Sequence, residues 1–95
     1  MDTDDLSDKA YGLIVQAARV SDTLKAELGA MSARSRDEKE WLNNVGSCLR
    51  KIAADPQDYV DYWNLEEAEG VTPAMIKDCA VRLCCRLDEL KAMLL

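Results

Sequence analysis

The chain has 95 residues, with 12 Lys and Arg against 18 Asp and Glu, and a formal net charge of −6. It contains no His, which excludes Ser-His-Asp and Cys-His catalysis and His-ligated zinc. With 48% hydrophobic and 32% charged residues, but only four Gly and two Pro, it reads as one small all-α domain spanning residues 1–95.

The start, Met1-Asp2-Thr3-Asp4-Asp5, is acidic and lacks the pattern of a secretory or mitochondrial leader. No apolar run approaches the ~20 residues of a bilayer span, so no membrane contact is expected. The cysteines Cys48, Cys79, Cys84 and Cys85 form no Cys-x-x-Cys pair and read as reduced thiols of a cytoplasmic protein.

A long first helix is expected from about Thr3 to Ser32, opened by Thr3 with Asp4 and Asp5 at the positive end of its dipole. Leu6, Ala10, Leu13, Ala17, Val20, Leu24 and Met31 make a coiled-coil-like stripe, in which Glu27 takes the one skipped place. Ser35-Arg36-Asp37-Glu38 matches a capping box, with Ser35 at the N-cap of a second helix that runs to about Ala54. Its stripe is Leu42, Val45, Leu49 and Ile52, flanked by Trp41 and Cys48.

Asp55-Pro56 starts a short third helix, Pro56 to Glu69, which Gly70 stops. Thr72-Pro73 repeats the start signal for a last helix. That helix carries Ile76, Ala80, Leu83, Leu87, Leu90 and Leu94 at alternating spacings of four and three. About four helices with short connections predict a small antiparallel bundle.

A straight helix of about 29 residues is ~43 Å long, whereas a domain of this size is only about 30–35 Å across. The first helix must therefore bend, break near Gly29, or project. A projecting stripe needs a partner, so a homodimer is expected through Leu13, Val20 and Leu24 or through Leu83, Leu87, Leu90 and Leu94.

Charge is uneven along the chain. Residues 56–70 carry −5 with no Lys or Arg, while residues 1–35 carry −2, 36–55 carry zero and 71–95 carry +1. The same short segment holds Tyr59, Tyr62 and Trp63, three of the five aromatics. Glu66, Glu67 and Glu69 lie at the helix end where the dipole disfavours acids. One reading makes Tyr59 and Trp63 core residues and leaves the acids solvated. The functional reading is a docking surface: Tyr59, Tyr62 and Trp63 as anchors, with Asp58, Asp61, Glu66, Glu67 and Glu69 steering a basic partner protein.

Three other chemistries have candidate residues in the chain. Asp37/Glu40 and Asp58/Asp61 are carboxylate pairs three apart, and two facing pairs could hold Mg²⁺. That spacing resembles the all-α nucleotide pyrophosphohydrolases of the MazG type, whose Glu-Glu-x-x-Glu signature is absent here. The resemblance implies a Mg²⁺-dependent hydrolase as the alternative function. Cys79, Cys84 and Cys85 cannot converge on one zinc from a regular helix. A helix-turn-helix reading through Lys77, Arg82 and Arg86 would place the −5 helix against phosphate, so direct nucleic-acid binding is disfavoured.

The leading expectation is a non-catalytic interaction module without metal or cofactor. It would dock on a basic protein surface and act as an inhibitor or regulator of a nucleic-acid-handling partner. Small acidic helical proteins of this kind are frequent among phage and mobile-element accessory proteins. A purely structural oligomerisation module is the third expectation.

Overall fold

The computed structural model describes the backbone of residues 3–93 and the side chains of residues 11–92. The described residues form six α-helices, α1 (Thr3–Ala18), α2 (Asp22–Arg34), α3 (Glu38–Ala54), α4 (Pro56–Trp63), α5 (Leu65–Glu69) and α6 (Pro73–Met93). The all-α class holds. The count of six against about four has two causes, because two of the expected helices are each broken once.

The first break lies at Arg19–Ser21, upstream of Gly29. The end of α1 tightens, with the Arg19 amide bonding the Gln16 carbonyl at 3.2 Å and the Val20 amide bonding Ala17 at 3.0 Å. Ser21 then leaves helical geometry at φ −151° and ψ 123°, and its hydroxyl accepts the Leu24 amide as the N-cap of α2. The two halves fold back on one another, and α1 also packs on α6. No 43 Å rod projects, which removes the premise for an unpartnered stripe. Thr3, Asp4, Asp5, Leu6 and Ala10 have side chains outside the described residues.

The start of α3 also differs from expectation. Asp37, not Ser35, is its N-cap, with the carboxylate accepting the Glu40 amide at 2.8 Å. Ser35 instead closes α2, donating its hydroxyl to the Met31 carbonyl at 2.7 Å. Both are cap-forming residues two positions apart, and the stronger acceptor captures the helix start. Trp41 fastens the two helices by donating its indole N–H to the Leu28 carbonyl at 2.9 Å.

The second break is at Asn64, in the left-handed region at φ 53° and ψ 44°. Asp55 caps α4 and Pro56 opens it, as the sequence predicts. Gly70, at φ 68°, ends α5, where only a residue without Cβ sits free of strain. Thr72 opens α6 by accepting the Met75 amide.

One apolar cluster joins residues from all the helices whose side chains are described. The α3–α6 pair is its centre, and it runs antiparallel, with Gly46 against Leu87 and Lys91. Leu13, Leu24, Leu83, Leu87 and Leu90 are at most 2% exposed, and Val20 packs against the cluster. Each such leucine contributes about 1.5–3 kcal/mol to folding. The buried leucines of the stripes assigned to a dimer interface therefore build the protomer's own core. Leu94 lies outside the described residues. Among the described residues no helix is long and apolar enough to cross a membrane.

Candidate functional site

The acidic segment is positioned by where its two apolar residues go. Val60 and Leu65 are five apart, yet both are buried. In an unbroken helix Asn64 would share Val60's face and Leu65 would turn away from it. The left-handed turn at Asn64 resets the phase, so Leu65 enters the core. Trp63, the last residue of α4, is 44% exposed and Tyr62 77% exposed. Their rings meet edge to face, with centroids 5.0 Å apart and an interplanar angle of 81°. Of the reading that puts Tyr59 and Trp63 in the core, the Tyr59 half holds, since its half-buried ring packs against the apolar cluster, whereas Trp63 stays outside it.

The aromatics border an open cleft of about 730 Å³ between α2, α3 and α4. Its α4 wall is Asp58, Tyr59, Tyr62 and Trp63, with Asp55 at the helix start. Arg34 and Met31 line it from α2, and Lys51, Asn44 and Cys48 from α3. Glu27, the residue that interrupts the apolar stripe, also lines it. The Glu27 carboxylate accepts the Tyr59 hydroxyl at 2.5 Å and the Cys48 thiol at 3.6 Å. Among the described residues, no Lys or Arg forms an ion pair with it.

These contacts set the acid–base character of the cleft. Burial, then the hydrogen bond to Glu27 and its charge, push the Tyr59 phenol far above its ordinary value. Burial and the neighbouring Glu27 carboxylate push the Cys48 thiol up to about 12. Both groups are therefore neutral donors at pH 7, and little of Cys48 is present as the reactive thiolate.

The eight residues expected to meet a partner divide into three sets. Asp58, Tyr59, Tyr62 and Trp63 come together at the cleft. Asp61, Glu66 and Glu67 are exposed outside it, with Asp61 accepting the Gln57 amide at 2.8 Å and Glu67 that of Asn64 at 3.2 Å. Glu69 turns the other way. It accepts the Ser21 hydroxyl at 2.7 Å, the Thr23 amide at 3.2 Å and the Thr23 hydroxyl, so it serves the fold rather than the surface. Burial pulls its carboxyl up, but the hydrogen bonds from Thr23 and Ser21 outweigh this and hold it below its ordinary value.

The carboxylate pairs do not meet. Asp37 lines a separate cleft with Tyr11 and Trp41, Glu40 pairs with Arg36 at 3.0 Å, and Asp58 lies at the main cleft. No three His, Cys, Asp or Glu among the described residues are placed to hold a metal ion. The four cysteines are unpaired. Cys79 is buried and Cys84 half-buried, with both thiols raised chiefly by burial, and Cys85 is exposed. On α6, Arg82 pairs with Asp78 at 3.1 Å and Arg86 with Glu89 at 3.2 Å.

Sequence reasoning missed Glu27, Cys48, Lys51, Arg34 and Asp55 as cleft residues. Only Glu27 left a signal, an acid where the stripe called for an apolar residue. No protein-family model, curated protein or solved structure matches this chain.

Proposed function

We propose that this chain is a non-catalytic interaction module whose acidic-aromatic segment, α4 and α5, docks on a basic surface of a protein partner. The observation that carries the reading is the exposed Tyr62–Trp63 pair, standing beside an open cleft within a 25-residue stretch, 52–76, that contains no Lys or Arg. Large aromatics supply binding energy when desolvated at the centre of an interface. The flanking carboxylates Asp58, Asp61, Glu66 and Glu67 accelerate encounter with a positive surface and reject negative ones. A surface that otherwise holds nucleic acid fits this description, which makes the protein an inhibitor or regulator of that partner. It acts in the cytoplasm, where free thiols stay reduced.

Two alternatives fare less well. The hydrolase reading needs the two carboxylate pairs on one pocket, but only Asp37 and Asp58 line clefts, and those are different ones. The oligomerisation reading needs leucines that are buried in the protomer.

The test is retention of protein partners from an extract of the source cell at low salt. Wild-type protein should retain a partner that Tyr62→Ala/Trp63→Ala loses and that Glu66→Lys/Glu67→Lys holds more weakly. Added nucleic acid should compete for it. Equal retention by all three proteins would overturn the proposal.

A further inference from the structure

Resting on that docking reading, we propose that the cleft between α2, α3 and α4 is a receptor for a guanidinium group, an arginine side chain of the partner. Three observations converge on a cation. Glu27 is a half-buried carboxylate at the cleft whose two hydrogen-bond donors, Tyr59 and Cys48, are both neutral. An ionised carboxylate offers about four acceptor positions, so capacity remains after those two bonds. Asp58 lies on the α4 wall, and its side chain takes part in no hydrogen bond or ion pair among the described residues.

The second observation is aromatic. Tyr59, Tyr62 and Trp63 stand on that same wall. A cation over an aromatic ring gains about 0.5–2 kcal/mol, with tryptophan the best platform.

The third is the distribution of charge within the cleft. Glu27, Asp55 and Asp58 stand against Arg34 and Lys51. The two bases come from α2 and α3, whereas the α4 wall is wholly acidic and aromatic. A cation is thereby directed to the α4 side.

A planar guanidinium satisfies this wall better than an ammonium. It stacks on aromatic rings, sheds water more easily, and bonds a carboxylate through two parallel N–H groups.

The probes are a tetra-arginine peptide, the neutral isostere tetra-citrulline, and tetra-lysine. Each is titrated at low salt into the full-length protein while amide and indole N–H signals are followed by NMR. Tetra-arginine should shift the Trp63 indole and the Glu27, Cys48 and Tyr59 amides, about tenfold more tightly than tetra-citrulline and measurably more tightly than tetra-lysine. Asp58→Asn and Trp63→Leu, both at exposed positions, should each weaken binding severalfold. Lys51→Gln should strengthen it by removing the competing charge.

Equal binding of citrulline or lysine, shifts confined to Glu66 and Glu67, no shifts at all, or indifference to Asp58→Asn and Trp63→Leu would each overturn the assignment. The two readings fail separately. A partner lost from Tyr62→Ala/Trp63→Ala while arginine shows no preference leaves docking intact without the receptor. An arginine-selective cleft alongside a partner indifferent to those aromatics overturns docking alone.

Discussion

The carboxylate of Glu69 and the hydroxyl of Ser21, 48 positions apart in the chain, meet at 2.7 Å. This contact ties the end of α5 to the start of α2, where the helix dipole is positive and the Thr23 amide is free to donate. An acid that is unfavourable at the end of its own helix is favourable at the beginning of another. Glu69→Gln should therefore lower stability by about 1 kcal/mol, near the low end for a charge-assisted bond at a part-exposed site. For a domain of this size that is ~4–8 °C in melting temperature, readable by circular dichroism.

The same contact makes stability depend on pH. The folded-state pKa of Glu69 lies below its ordinary value of 4.5. Its contribution is then fully present above that ordinary value, and it is lost as pH falls through the lower folded-state value. Urea midpoints of wild type and Glu69→Gln should draw together as pH falls from about 7 through and below the ordinary carboxylate value. A difference that stays constant over that whole range would show that the glutamine acts by another route.

How far the sequence discloses this structure depends on whether a signal is local. Asp55-Pro56, Gly70 and Thr72-Pro73 are read correctly because each cap is settled by neighbouring residues. The break at Ser21 is disguised because Val20 and Leu24 continue the apolar spacing across it. Ser21 caps α2 locally, and Glu69, which reinforces that start, arrives only once the chain has folded. Ser35 and Asp37 compete for one cap, and sequence spacing alone favours the wrong one. At the candidate site, the aromatic and acidic residues of α4 are visible as a cluster. The opposite walls, from α2 and α3, are assembled by packing and leave only the misplaced Glu27 as a trace.

Glu27 also governs the reactivity of Cys48. Burial is the larger cause of the raised thiol and Glu27 the next, so removing the acid relieves only part of the effect. Alkylation at about pH 8, near the ordinary thiol range, should modify exposed Cys85 first and Cys48 slowly. Glu27→Gln should speed Cys48 severalfold without bringing it to the rate of Cys85. Peptide mass spectrometry at successive times reads this directly, and an unchanged Cys48 rate would remove Glu27 as a cause.

Gly46 brings the α3 backbone close to Leu87 and Lys91 of α6. A Cβ there would lie 2.9 Å from Leu87 Cδ2 and 3.3 Å from Lys91 Nζ. Alanine improves helix propensity by up to about 1 kcal/mol. Leu87 is 1% exposed and held by core neighbours, so overpacking of about 1–3 kcal/mol outweighs the gain. Gly46→Ala should be destabilising in urea unfolding. Leu87→Val, which removes the obstructing methyl, should cost less in the Gly46→Ala background than in wild type. Equal costs in both backgrounds would mean that the helices separate freely.

Asn64 supplies the turn that lets Leu65 follow Val60 into the core. A non-glycine residue at φ 53° carries a penalty that asparagine bears better than most. Asn64→Gly should be close to neutral, because it keeps the turn and loses only the side-chain bond to Glu67. Asn64→Val should cost about 1–2 kcal/mol, since a β-branched residue resists the left-handed region. The chain can relieve that strain by continuing α4 as a helix, but that turns Leu65 away from the core it now fills. Urea unfolding reads the difference between the two variants. Equal midpoints for Asn64→Val and Asn64→Gly would show that the left-handed turn is not what holds Leu65 in place.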